Sequence, residues 1–259
     1  MAPRTHAFGV DIGGSGIKGA VVDTATGRLL TERRRVDTPS LSTPKAVAKV
    51  VAQLVHEAGW DGVAGVAFPA VIKRGVALTA ANVDKSWIGT DADATFSVAT
   101  GLDVTVLNDA DAAGLAEVRY GAAREASGVV ILLTFGTGIG SALFLDGRLV
   151  SNSELGHLEI DGLDAETRAA ASAKEREGLS WREWAKRVQR YLRHVEDLFA
   201  PDLFVVGGGV SKKSERWVPL LELRTPVKPA ELENDAGIAG AGLAAIERSA
   251  GAPADAPAG

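Results

Sequence analysis

Asp11-Ile12-Gly13-Gly14-Ser15-Gly16-Ile17-Lys18-Gly19-Ala20-Val21-Val22 decides the fold class of this 259-residue chain. Gly14, Gly16 and Gly19 match the G-x-G-x-x-G spacing of a dinucleotide-binding turn, but that turn must open a helix. Here a short β-branched run follows and closes at the turn Thr24-Ala25-Thr26-Gly27, so the glycines join two strands. The pattern returns at Thr134-Phe135-Gly136-Thr137-Gly138-Ile139-Gly140, again with an apolar run on each side. A third turn, Val206-Gly207-Gly208-Gly209-Val210-Ser211, follows the apolar run 203–206. No G-x-x-x-x-G-K-[ST] is present, which rejects a P-loop. Glycine lets a backbone approach a bulky anion and aim its N–H groups at it. Any one of these turns could be a plain hairpin. Three at strand ends, two of them in matching strand–turn–strand units, point to a duplicated α/β fold that clasps phosphates.

The stretch Asn108-Asp109-Ala110-Asp111-Ala112-Ala113 supplies the chemistry. The run 104–107 reads as a buried strand and 110–120 as a helix. A carboxylate at the C-terminal end of such a strand stands at the mouth of the sheet, where α/β proteins bind ligands. Phosphate turns around one carboxylate suggest a phosphate donor on one side and a hydroxyl acceptor on the other. A second constellation is Glu154-Leu155-Gly156-His157, followed by Glu159, Asp161, Asp164 and Glu166. Carboxylates and a histidine beside glycine suit a polyol, whose hydroxyls need paired donors and acceptors. A solvated acidic loop is the plain alternative. A metal site is disfavoured, because only one histidine is present there and the i, i+4 pair of a zincin is absent.

Composition excludes several classes. The chain has no cysteine, which removes disulfides, thiolate metal sites and cysteine nucleophiles. Its 28 basic and 33 acidic residues give a formal charge of -5, which argues against nucleic acid as the main partner. There is no signal-like apolar core and no run long enough to span a bilayer, so a cytoplasmic protein is expected.

Strands and helices alternate along the chain. Strands are expected at 7–10, 17–22, 28–35, 63–68, 76–79, 129–134 and 139–145, with Asp146-Gly147 as a hairpin turn. Thr43 and Pro44 start a helix whose Val47, Val50, Val51, Leu54 and Val55 share one face, and Gly59 ends it. Ser180 and Glu183 form a capping-box pattern. The helix they open carries Trp181, Trp184, Ala185, Val188, Tyr191, Leu192, Val195, Leu198 and Phe199 at helical spacing, the pattern of a core stripe. The run 237–249 is a small-residue helix, and 250–259 is expected to be a disordered tail.

Asp11-Ile12-Gly13-Gly14, Asn108-Asp109, Thr134-Phe135-Gly136-Thr137-Gly138 and Glu154-Leu155-Gly156-His157 together resemble the signature of the ROK sugar kinases, from about Phe8 to about Ile246. One departure is informative: many members carry a cysteine-rich zinc loop after the Glu-x-Gly-His motif. This chain instead resembles the zinc-free polyphosphate glucokinase and glucomannokinase subgroup, also at Ala81-Asn82-Val83-Asp84-Lys85-Ser86-Trp87-Ile88-Gly89. With six residues ahead of the first strand, the helix-turn-helix extension of the family's repressors is not expected.

The resemblance implies an actin/hexokinase-like (ribonuclease H-like) α/β fold of two domains with a cleft between them. The small domain would be 1–108 plus the returning helix 237–249, and the large domain 109–236. It implies a transferase that moves the terminal phosphoryl group of polyphosphate or ATP to the 6-hydroxyl of glucose, possessing Asp109 as general base. Asn82, Asn108, Asp109, Glu154, His157 and Glu166 would hold the sugar. Asp11, Gly13, Gly14, Ser15, Gly16, Lys18, Thr134, Gly136, Thr137 and Gly138 would clasp donor phosphates, and Gly208 and Gly209 would face adenosine. Asp11 would orient Mg²⁺ through water, with no zinc site. Mannose as a second acceptor and a homodimer belong to the same expectation. A polyphosphate chain needs a line of cations, and Lys18, Lys85, Lys212, Lys213, Arg216, Arg182, Lys186, Arg187 and Arg190 are candidates. The alternatives are an ATP-only kinase of another hexose or an amino sugar, and a non-catalytic sugar-binding regulator.

Overall fold

The computed structural model describes residues 5–251, so the expected tail lies outside the described residues apart from Ala250 and Gly251. They form two compact units, one reaching to Ala116 and resuming at Asn234, the other spanning Glu117–Glu233.

In the first unit, β1 (His6–Ile12) and β2 (Gly16–Asp23) form an antiparallel hairpin about the first glycine turn. The segment read as one strand at 28–35 is broken: β3 (Arg28–Leu29) and β4 (Arg34–Asp37) each pair with β2, at its two ends. Between them Thr31 meets β2 through its side chain instead of its backbone, its hydroxyl accepting the Val21 amide at 3.0 Å. Helix α1 (Pro44–Glu57) is capped by Thr43, and Gly59 follows at φ 61°, a left-handed value that glycine adopts freely. Strands β5 (Ala64–Phe68), β6 (Ile72–Lys73) and β7 (Val76–Ala77) follow, then helix α2 (Ala92–Thr100), β8 (Val104–Asn108) and helix α3 (Asp109–Arg119). The sheet order is β3-β2-β1-β5-β8, with β5 and β8 parallel to β1. The C-terminal ends of β1, β5 and β8 therefore share one edge, and the first glycine turn and Asn108-Asp109 are both there. Phe68, Trp87 and Phe96 fill the core, with Trp87 ring centres 4.4 and 5.5 Å from the other two.

The C-terminal helix, Ala236–Ser249, packs through backbone on this sheet and on α3. A Cβ at Gly9 would lie 2.0 Å from the Ile238 carbonyl oxygen, one at Gly65 1.8 Å from that of Ala241, and one at Gly240 1.7 Å from that of Ala112. Only glycine permits contacts this close.

The second unit repeats the scheme. Strands β9 (Val129–Phe135) and β10 (Ile139–Leu145) form a hairpin about the second glycine turn. A turn with Asp146 at φ 50° and Gly147 at φ 78° leads into β11 (Arg148–Val150). A small hairpin, β12 (Glu159–Ile160) and β13 (Leu163–Asp164), precedes helices α4 (Glu166–Ala169), α5 (Ala171–Arg176) and α6 (Trp181–Phe199). Strands β14 (Leu203–Gly207) and β15 (Val227–Pro229) complete a sheet of order β11-β10-β9-β14-β15. That order matches the first sheet's strand for strand, which is the duplication read from the glycine turns. Ser180 and Glu183 close their capping box at the start of α6. The α6 stripe is buried at Trp184, Ala185, Val188, Tyr191, Leu192 and Val195. Leu198 departs from it and is 56% exposed, whereas Phe199 beside it still packs against the core.

Candidate active site

In the first unit, the turn 13–16 is closed by the Gly13 amide donating to the Gly16 carbonyl at 3.0 Å. Two side chains that the sequence did not single out pin its outward carbonyls. The Arg35 guanidinium donates to Ser15 O at 2.7 Å, and the Thr38 hydroxyl to Gly13 O at 2.6 Å. Both are on or next to β4, which pairs with the β2 side of the turn, so only the register could have revealed them. Lys18 Nζ lies 3.2 Å from the Asp11 carboxylate. The opening turn of the C-terminal helix reaches the same place: a Cβ at Gly237 would be 3.2 Å from Asp11 Cγ. Asn82, at φ 58°, stands beside the glycine turn, 3.6 Å from where a Gly14 Cβ would be.

Asp109 opens α3 directly from the end of β8. Asn108, buried, uses its side chain to set that junction. Its Oδ1 accepts the Ala110 and Asp111 amides at 2.8 and 3.1 Å, and its Nδ2 donates to Ala70 O at 3.1 Å. Three of the four hydrogen-bonding positions of the amide are thus taken by protein. The Asp109 Oδ1 accepts the Ala110 amide at 2.9 Å, which fixes a half-buried carboxylate at the sheet edge.

In the second unit, Gly136 N donates to Gly138 O at 2.9 Å, and Ser172 donates from its amide to Gly136 O and from its hydroxyl to Thr137 O. The third turn packs on the second, since a Cβ at Gly208 would stand 2.3 Å from Phe135 O. At Gly207 the contact is an ordinary one, a Cβ there standing 3.4 Å from Thr134 Cγ2 across the adjacent, parallel strands β9 and β14. At Gly136 and Gly209 a Cβ would meet nothing within 4 Å, so packing does not demand glycine there.

The Glu154-Leu155-Gly156-His157 segment is held on β10. Ser141 Oγ donates to Ser153 O at 2.6 Å and accepts the Leu155 amide at 2.9 Å. A Cβ at Gly156 would be 2.2 Å from Ile139 O. Glu154 and His157 are thereby presented side by side, Glu154 Oε2 to His157 Nε2 being 3.9 Å. His157 Nδ1 lies 2.9 Å from Asp164 Oδ2 and 4.0 Å from Glu166 Oε1. The hydrogen bond to Asp164 is the main cause that raises the His157 pKa above the ordinary imidazole value; burial opposes it, and Glu166, Asp164 and Glu154 reinforce it electrostatically. Burial, with Glu166 nearby, lifts Glu154 above the usual carboxylate range, against the influence of His157. Glu166 Oε2 accepts the Ile139 amide at 3.0 Å, tying this cluster to the second glycine turn.

His157, Asp164 and Glu166 each offer a ligand atom within 4.8 Å of the others, a grouping that could hold a cation. Their mutual contacts already use the Nδ1 atom. Asp11 is a single carboxylate salt-bridged to Lys18, so it would hold a Mg²⁺ only through the ion's waters.

Most candidate cations are engaged. Lys212 pairs with Glu233 at 2.9 Å, Arg187 with Glu177 at 2.6 Å, Arg190 with Asp161 at 2.8 Å and Arg216 with Glu215 at 3.7 Å. Lys85 donates to Ala80 O. Among the described residues Lys213, Arg182 and Lys186 have no ion-pair partner.

The chain is 55% identical over 244 residues to a polyphosphate glucokinase of Mycobacterium tuberculosis, covering 94% of this chain and 92% of that protein. It superimposes on the inorganic polyphosphate/ATP-glucomannokinase of Arthrobacter sp. strain KM with a TM-score of 0.89 and 54% identity, over 96% of this chain and all of the other. A glucokinase of Streptomyces griseus, solved in complex with glucose and AMPPNP, gives a TM-score of 0.79 at 27% identity, covering 93% and 99%. The sugar-kinase signature read along the chain, the duplicated hairpin sheets and these likenesses agree with the family match over residues 7–168: the chain belongs to the ROK family.

Proposed function

We propose that this protein is a polyphosphate/ATP-dependent glucokinase. The observation that carries the reading is Asp109, a carboxylate fixed at the outlet of β8 by Asn108, in a chain 55% identical to a polyphosphate glucokinase over nearly its whole length. In the reaction the glucose 6-hydroxyl oxygen attacks the terminal phosphorus of the donor. The O–P bond to sugar forms as the bond to the leaving phosphate breaks, and Asp109 takes the hydroxyl proton. The products are glucose 6-phosphate and a polyphosphate one unit shorter, or ADP. Glu154, His157, Glu166, Asn82 and Asn108 hold the sugar hydroxyls. The turns that carry Gly13, Gly14, Thr137 and Gly138 clasp donor phosphates, the Gly13 amide itself serving to close its turn on Gly16 O, and Gly208 and Gly209 face the adenosine of ATP. Mg²⁺, when bound near Asp11, neutralises charge developing on the transferred group.

The likeness to a glucomannokinase supports mannose as a second acceptor. The family resemblance supports a homodimer acting in the cytoplasm; among the described residues no helix is long and apolar enough to cross a membrane. The test is purified protein with glucose and Mg²⁺, supplied with either polyphosphate or ATP, and glucose 6-phosphate as the readout. Turnover with ATP alone would make it a strictly ATP-dependent hexokinase, and turnover with neither donor would make it a sugar-binding regulator.

A further inference from the structure

The Glu159–Asp164 segment is a tight hairpin. Asp161 at φ 57° and Gly162 at φ 76° form its two-residue loop, with the paired positive φ values of a type I′ turn. Its register places Asp164 opposite Glu159, and so returns the chain to His157 just before α4 begins. Asp164 then divides its two oxygens. Oδ2 meets His157 Nδ1 at 2.9 Å, and Oδ1 accepts the Glu166 amide at 3.2 Å. The Thr167 hydroxyl donates to the Asp164 carbonyl at 2.6 Å and secures the same turn.

We propose that Asp164 is the positioning residue of the sugar cluster, holding the His157 ring by Nδ1 so that Nε2 faces the substrate beside Glu154, and anchoring the first turn of α4 that carries Glu166. This rests on the reading of His157 and Glu166 as sugar ligands. An ionised carboxylate only accepts, so Nδ1 carries the proton in either charge state of the ring. Nε2 is left as an acceptor when the imidazole is neutral and as a donor when it is charged. The groups facing the ring are Glu154, Asp164 and Glu166, all acidic, and all favour the charged form. Fixing the ring removes a rotation that glucose binding would otherwise have to freeze, which is how an outer partner strengthens a ligand it does not replace. Asp164 itself contacts the ligands rather than the sugar.

The experiment compares Asp164→Ala, Asp164→Asn and His157→Ala in the full chain, by two-substrate kinetics and by NMR of the His157 imidazole across pH. Asp164→Ala should raise the KM for glucose about ten- to a hundredfold, the scale of one lost charge-assisted hydrogen bond, and leave the KM for the phosphate donor unchanged. Asp164→Asn keeps an acceptor oxygen but not the charge. It should raise glucose KM less and move the His157 titration to lower pH, while the Nδ1-protonated tautomer persists. Loss of that tautomer in Asp164→Ala is the signature a merely structural role would not produce. Unchanged glucose KM in both Asp164 variants, or an unmoved His157 titration in Asp164→Asn, overturns the proposal. If His157→Ala raises glucose KM while the Asp164 variants do not, only the positioning role falls; if His157→Ala also leaves it unchanged, the sugar-site reading falls as well. Should Asp164→Ala not fold, the Asp164→Asn titration decides.

Discussion

The Glu166 carboxylate accepts the Ile139 amide at 3.0 Å, and a Cβ placed on Gly138 would lie 2.2 Å from the same oxygen. One glutamate therefore links the sugar cluster to the turn assigned to donor phosphates. Glu166→Gln keeps an acceptor for the amide and removes the charge, whereas Glu166→Ala removes both. Steady-state kinetics with each substrate varied should show Glu166→Gln raising glucose KM alone, and Glu166→Ala raising both KM values by roughly tenfold. A donor KM unmoved in Glu166→Ala would show that the second turn holds its shape without this glutamate.

Asp109 is assigned the proton. Asp109→Asn retains the oxygen that accepts the Ala110 amide and loses basicity, so the α3 junction should survive. With general-base catalysis worth about 10²–10⁴-fold, kcat should fall by that factor while glucose binding, read by calorimetry, changes little. A kcat above about a tenth of wild type under chemistry-limited conditions would remove Asp109 from the role.

The C-terminal helix meets helix α3 at backbone distance where Gly240 faces Ala112, and Gly240→Ala tests that contact. Alanine favours an isolated helix over glycine by about 1 kcal/mol. Here its Cβ would be 1.7 Å from Ala112 O, with backbone and not a flexible side chain in the way. Overpacking of this kind costs typically about 1–3 kcal/mol and sometimes more. Urea unfolding should show Gly240→Ala less stable than wild type by about 2 kcal/mol, despite the gain in helix propensity. A neutral or stabilising result would mean the C-terminal helix and α3 can move apart at small cost.

Local signals in the sequence carried much of the architecture. The β-branched run 17–22 behind the first glycine turn identified a strand, and with it the duplicated hairpins. Thr43-Pro44 and Ser180…Glu183 are self-contained caps and act as such. Helix α2 was not recognised although Asp91 caps it and Gly101 ends it, because so short a helix buries only Ala92 and Phe96 and shows little periodicity. The unread parts of the site depend on contacts across register. Arg35 and Thr38 reach the first turn only because β4 pairs with β2, and Ser141 supports Glu154 only because the 151–157 segment folds back on β10. Asp164 belongs to the acidic run after His157, but its place beside His157 depends on the two-residue turn at Asp161-Gly162.

The proposed use of Mg²⁺ can be tested by chelation. Asp11 offers one carboxylate already paired with Lys18, which suits a hydrated Mg²⁺ held loosely. EDTA should abolish turnover and Mg²⁺ alone should restore it. The folded state, read by thermal unfolding, should be indifferent to a zinc-selective chelator, because the chain has no cysteine. Stoichiometric zinc in the purified protein, with unfolding on its removal, would instead assign the His157, Asp164 and Glu166 grouping to a structural ion.

The donor preference can be tested through salt. A polyphosphate chain contacting several lysines and arginines should lose affinity steeply as ions screen each contact, whereas ATP carries fewer charges and, with Gly208 and Gly209 in their proposed role, would gain adenosine contacts that salt barely affects. Lys212 is already neutralised by Glu233 at 2.9 Å, so reversing it would also repel that glutamate and confuse the result. Lys213 has no such partner among the described residues and is exposed, which makes Lys213→Glu the cleaner probe. Its expected effect is a higher KM for long polyphosphate, a smaller salt slope for that donor, and little change in the KM for glucose. The measurement is KM for each donor across a salt series in both proteins. Equal slopes for polyphosphate and ATP in wild type would show that no line of cations guides the polymer. A normal polyphosphate slope in Lys213→Glu would move the path to the other unpaired cations, Arg182 and Lys186 on α6, where the same reversal can be repeated.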